Sequence, residues 1–267
     1  MPPSATEGLC GRAVAVLAAA EPAEKIRRTR ATVAAWSDGT IEAVGRAAPP
    51  DRPARPARPL LMPPHAMPKR KGGARRIALL HALAHIELNA IDLAWDLVAR
   101  FGSEDLPRAF FDDWLRVASE EAKHYDLLAA RLAELGAAYG DLPAHDGLWQ
   151  AAMATADDLL ARLAVVPLVL EARGLDVTPA MIAEFERTGD AASAAVLRVI
   201  YEEEIGHVAT GRRWFEAVCA SRGLDPQPTW QDLVRRRFRG RLKRPFNDAA
   251  RAEAGLPADF YAPLAEG

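Results

Sequence analysis

Cysteine is scarce in this chain. Cys10 and Cys219 are the two among 267 residues, far apart and with no Cys-x-x-Cys spacing. Neither a disulfide framework nor a zinc–thiolate site is indicated, and a reducing, cytoplasmic setting is expected. Long apolar runs are lacking as well: none approaches the roughly 20 residues of a bilayer span, so no membrane insertion is expected. The stretch AVAVLAAAEPA at 13–23 is preceded by Glu7 and interrupted by Glu21, without the basic flank of a secretory signal, and reads as an amphipathic helix. Strand-like alternation of apolar and polar residues is also absent. What remains is helix, and with 50% hydrophobic residues there is ample material for a packed core of one large domain or two small ones.

The net charge is only −2, but it is unevenly distributed. Segment 46–76 holds nine Lys/Arg against one acid, and 235–244 holds seven against none, which leaves the rest of the chain strongly acidic. The simpler expectation is that the basic segments lie on an acidic body and neutralise it; a phosphate-bearing partner such as RNA is the alternative.

Proline divides the chain. Residues 46–73, RAAPPDRPARPARPLLMPPHAMPKRKGG, cannot be helical and read as an extended arm. Before it, residues 1–45 form a helical extension with two short helices broken at Pro22. After it, helical periodicity runs over about 74–101, 108–135, 147–173, 178–188 and 190–221. Thr178 followed by Pro179, and Asp190 after Gly189, supply helix starts. The expected architecture is all-α: a four-helix bundle over 74–221, with a basic tail, 222–267, packed along it.

Each long helix carries one glutamate on its apolar stripe. At about 100° per residue, Glu204 aligns with Leu197, Ile200, Val208, Gly211, Phe215 and Val218, whereas Glu202 and Glu203 turn to solvent. Glu121 aligns with Trp114, Val117, Leu128 and Leu132; Glu87 with Leu80, Leu83, Ile91 and Ala94; Glu171 with Leu160, Ala164 and Pro167. Three residues beyond Glu121 and Glu204 stand His124 and His207, one helical step away on the inward side.

Four carboxylates and two imidazoles in an apolar interior are costly without cations. Two divalent ions remove the difficulty, and oxygen plus imidazole donors favour iron or manganese. Glu87 to Glu121 is 34 residues and Glu171 to Glu204 is 33, as two similar hairpins would give. Among the remaining candidates, His81 and His85 form an i, i+4 pair within reach of Asp92 but project away from Glu87, so His85 is expected to hydrogen bond behind a ligand or pack under the arm. Tyr125 and Tyr201 neighbour the ligands and are candidates for carrying a radical or for hydrogen bonding behind a ligand; ordinary core packing is the simpler expectation for both. Pro167, one turn before Glu171, should kink its helix.

The order Glu, Glu-x-x-His, Glu, Glu-x-x-His on four helices resembles the ferritin-like di-iron carboxylate superfamily. Longer blocks, among them RPARPLLMPP, LLHALAHIELNAIDLAWD, DDWLRVASEEAKHYDLL, ARLAVVPLVLEARGLDVTP, EEEIGHVATGRRWF and RPFNDAARAEAGL, resemble the bacterial family labelled domain of unknown function 455. A more distant likeness, confined to the ligand pattern, is to the di-iron hydroxylase of tRNA adenosine. These resemblances imply a ferritin-like bundle with two iron ions, or a mixed manganese–iron pair. Glu121 and Glu204 would bridge them, His124 and His207 would each cap one, and Glu87 and Glu171 would be terminal ligands. They imply an oxidoreductase that uses O2 or peroxide on a small molecule or modified nucleoside, served by an electron-donor protein, in a monomer or dimer. The alternative is a metal-handling protein that oxidises or stores iron.

Overall fold

The computed structural model of the chain describes residues 8–63, 66–68 and 73–265. Part of the predicted arm, including Lys69, Arg70 and Lys71, lies outside the described residues, as does Glu7. Among the described residues every regular element is helical, as expected, and the two β-bridges, Leu61 with Ala144 and Leu242 with Ala265, are isolated. The chain forms two compact units, Met1–Trp149 and Gln150–Gly267.

The first unit contains α1 (Leu9–Leu17), α2 (Pro22–Ser37), α3 (Gly73–Phe101) and α4 (Arg108–Glu134). Pro22 opens α2, where its missing N–H is no loss. The α3–α4 hairpin is the core, with α1 against α3 and α2 against α4. Helix α4 buries Phe110, Trp114, Val117, Glu121, Leu128 and Leu132 at the three-to-four spacing of one apolar stripe.

Helix α3 differs, because from Leu88 to Ala99 it is buried on every side. It is long and apolar enough to cross a membrane, a property hidden in the sequence by the charges it carries. Those charges have partners inside the unit. Lys25 Nζ, itself buried, donates to Asp92 Oδ1 at 2.5 Å and to the Val16 carbonyl at 3.2 Å. Arg55 reaches Asp92 Oδ2 at 3.5 Å and donates to Asn89 Oδ1 at 2.5 Å, and Arg100 pairs with Asp96 at 2.7 Å. Buried charges survive only when paired in this way, so α2 and the arm are fastened to α3 by polar contacts as well as apolar ones. The arm is extended, with few N–H groups to donate. Ala54 N–H donates to the Leu17 carbonyl, Trp149 Nε1 to that of Asp51, and Met62 N–H to that of Ala144.

The chain passes between units within α5 (Gly147–Met153). The second unit holds α6 (Leu159–Val165), a π-helical turn (Val166–Glu171), α7 (Ala172–Arg187), α8 (Ala191–Ser221), α9 (Pro226–Arg237), α10 (Asp248–Glu253) and α11 (Ala258–Tyr261). The single helix expected over 147–173 is therefore two. Helix α5 stops at Met153, and Asp158 caps a new start by accepting from the Leu160 N–H at 3.0 Å.

The expected break at Thr178–Pro179 does not occur, for α7 runs straight through it. A proline there cannot donate to Leu175, four residues back; the Leu175 carbonyl instead accepts from Asn247 Nδ2 of the tail at 3.2 Å. Helix α7 ends where Gly189 takes φ +77°, with the Gly189 N–H donating to Glu186 and the Asp190 N–H to Phe185. Asp190 then caps α8 through the Ser193 N–H at 3.0 Å, as its position in the sequence predicts.

The tail is packed into the second unit. Trp230 is fully buried and donates from Nε1 to the Ala164 carbonyl at 3.0 Å, and Arg251 forms a two-pronged, buried pair with Asp176 at 2.7 Å on both arms.

Candidate metal centre

Three of the predicted ligands converge in the first unit. Glu87 projects from α3, and Glu121 and His124 from α4, all buried, with ligand atoms within 4.8 Å of one another. His124 Nδ1 lies 3.4 Å from Glu87 Oε2 and 3.4 Å from Glu121 Oε2. The i, i+3 spacing on α4 turns Glu121 and His124 to one side, and the hairpin brings Glu87 across to meet them.

The electrostatics of this group are those of a site that attracts positive charge. Burial, followed by the neighbouring Glu121, raises the Glu87 carboxyl well above its ordinary value. Burial alone would lower the His124 imidazole, but its hydrogen bonds to Glu121 and Glu87 outweigh burial and raise it to about 11. Shielded from water, the group favours bound protons, on the imidazole through the two glutamates beside it and on Glu87 through burial. A divalent cation would serve the same purpose better, because two carboxylates match its charge and a neutral imidazole adds a third donor. The cluster can hold a metal ion.

The second unit carries the matching residue types. Glu204 Oε1 lies 3.5 Å from His207 Nδ1 on α8, with the imidazole fully buried and the carboxylate side chain 12% exposed. Glu202 is exposed, as its position on the wheel requires, whereas Glu203 is only half exposed. Glu171 is the last residue of the π turn. That turn contains Pro167, which has no N–H to donate, so the kink expected there takes the form of a wider helical turn. Gly211 of α8 lies against it: a Cβ added at Gly211 would fall 2.3 Å from Pro167 Cβ, so only glycine permits this approach.

Other candidates lie elsewhere. His85 does not support a ligand; Tyr139 Oη is 2.9 Å from its Nδ1 and the His145 carbonyl 3.0 Å from its Nε2. A carbonyl only accepts, so Nε2 carries the proton and Nδ1 accepts from the tyrosine. Burial lowers this imidazole to about 4 and keeps it neutral. His81 accepts from the Gly140 N–H at 2.9 Å and stacks on Tyr139, so the histidine pair anchors the 139–145 loop and leaves Asp92 to Lys25. Tyr125 packs edge-on to Tyr139, and the Tyr201 hydroxyl accepts from Asn247 Nδ2 at 2.8 Å. Nothing in the local sequence singles out Tyr139 or His145, whereas Asn247 is signalled, since Asn followed by Asp-Ala-Ala is a helix start, and it caps α10.

The sequence model of the family described as protein of unknown function (DUF455) matches residues 18–262. The chain belongs to that family. The match runs from the end of α1 to the 3-10 turn after α11, so it takes in both hairpins and the tail of this DUF455 protein. An uncharacterized protein of Haemophilus influenzae is 44% identical over 206 residues, covering 74% of this chain and 72% of the relative. No solved structure matches.

Proposed function

We propose that this chain is a metal-dependent oxidoreductase that binds two iron ions, or one manganese and one iron, and hydroxylates a small molecule or modified nucleoside. The observation that carries the reading is the buried Glu87, Glu121 and His124 group, whose residue types recur as Glu171, Glu204 and His207 at nearly the same offset along the chain. Hard oxygen and imidazole donors suit iron and manganese. When bound, such ions supply redox chemistry with O2 or peroxide. The chain's own part begins with charge: Glu87 and Glu121 offset the ion, and His124 releases the proton held at Nδ1 as a cation enters, so affinity rises with pH. The apolar packing of α4 around Glu121 and His124 then keeps bulk water from the donors.

Elemental analysis of the full chain from iron-replete cells should give close to two metal ions per chain, with Glu121→Ala and Glu204→Ala each lowering that count. A folded wild-type protein that takes up no metal would end the proposal. The ferritin-like resemblance implies that the two ligand sets form one dinuclear centre, for which Mössbauer spectra should show exchange-coupled iron; uncoupled ions would remove that part alone. Particle size separates this reading from iron storage, since a large hollow oligomer would favour storage and a monomer or dimer the hydroxylase.

A further inference from the structure

The second unit has a cleft of about 280 Å³ that the metal reading does not use. One wall is Val169 and Leu170 of the π turn; the other is the tail segment Phe238 to Phe246. Four cations line it, Arg173, Arg241, Lys243 and Arg251, against the single carboxylate of Asp176. That carboxylate is already matched by Arg251 at 2.7 Å and Arg173 at 3.3 Å, and it also accepts from the Asn247 N–H at 2.9 Å. Leaving aside Arg241, which has a contact of its own, the lining carries an excess of two positive charges. Lys243 is exposed, and its backbone is pinned by Arg173, which donates to the Lys243 carbonyl at 2.7 Å.

Two rings stand among these charges. Phe238 brings the tip of its ring to Gly240, where an added Cβ would come within 2.4 Å of Cζ, and Phe246 is held by Tyr261 at 4.8 Å and by the Arg251 guanidinium at 5.0 Å. Aromatic rings beside cations suit a ligand that is planar at one end and anionic at the other. The volume is at the lower limit of small-molecule sites, which gives room for one ring and one anionic group and excludes a polymer strand. A phosphate monoester carries about −1.5 to −2 charges at neutral pH and is the common anion that best balances the lining.

We infer that this cleft is a binding site for a small aromatic phosphate monoester, with the phosphate toward Lys243 and the ring between Phe238 and the π turn. The site is independent of metal, so binding is measured on the full chain as purified, without turnover. Calorimetric titration with phenyl phosphate should show one site per chain, bound more tightly than inorganic phosphate or phenol alone. Lys243→Gln should weaken phenyl phosphate about tenfold, the loss of one charge-assisted hydrogen bond, and Lys243→Arg should restore it. Phe238→Leu should weaken phenyl phosphate several-fold and leave inorganic phosphate unchanged. Three results would overturn the inference: no preference for phenyl phosphate over inorganic phosphate, affinity unchanged in Lys243→Gln, or a single-stranded RNA that binds through Lys243 and is not displaced by phenyl phosphate.

Discussion

Asp176 holds the tail of the second unit in place. It takes both arms of the buried Arg251, and the Asn247 N–H besides. Removing one partner of such a pair leaves the other charged and dry, at a cost of about 3–5 kcal/mol. Asp176→Ala should lower the urea midpoint accordingly, with Asp176→Asn intermediate because it keeps a hydrogen-bonding side chain of the same size. At the same scale, burial raises both cysteine thiols to about 11. A raised value keeps the thiol protonated, so at pH 8 only about a thousandth would be thiolate. Native protein should leave a thiol-reactive disulfide reagent unreacted, and denatured protein should consume two equivalents per chain.

Among the elements, the π turn and the glycine that faces it are the most sensitive pair. Gly211→Ala forces a Cβ into Pro167, and overpacking of this kind costs about 1–3 kcal/mol. Thermal denaturation of that variant, compared with Ala209→Gly on the same helix, separates the clash from helix propensity. The same elements show how far the sequence could be read. Helices α4 and α8 are half polar, so counting at 100° per residue identified their inward faces and with them Glu121, His124, Glu204 and His207. From Leu159 to Val169 every residue is buried, so no polar side existed to set the phase for Glu171. The passage of α7 through Pro179 was illegible for another reason: the group that satisfies the Leu175 carbonyl is Asn247, 72 residues further on. The Lys25–Asp92 and His85–Tyr139 contacts are likewise long-range, and periodicity carries no trace of them.

For the whole molecule, metal binding is a matter of stability as well as chemistry. A ligand that binds only the folded chain stabilises it by about 2.7 kcal/mol at a hundred times its dissociation constant. For a chain of this size that is a rise in Tm of about 5–10 °C. Adding Fe(II) anaerobically to chelator-treated protein should produce it, and Glu121→Ala should reduce it. Part of the uneven charge in the sequence is settled inside each unit, by Arg52 with Asp146 in the first and by Arg237 with Asp157 in the second.

A π turn bonds each residue to the fifth one along instead of the fourth, and so needs one more residue to complete a rotation. Side chains before Val166 and after Glu171 therefore keep to two different clocks. Deleting a single residue between them would reset one against the other, swinging α7 and everything it presents around the axis while leaving composition and hydropathy almost untouched. Along these six residues length itself is part of the specification, and an insertion or deletion there would be felt well beyond the turn.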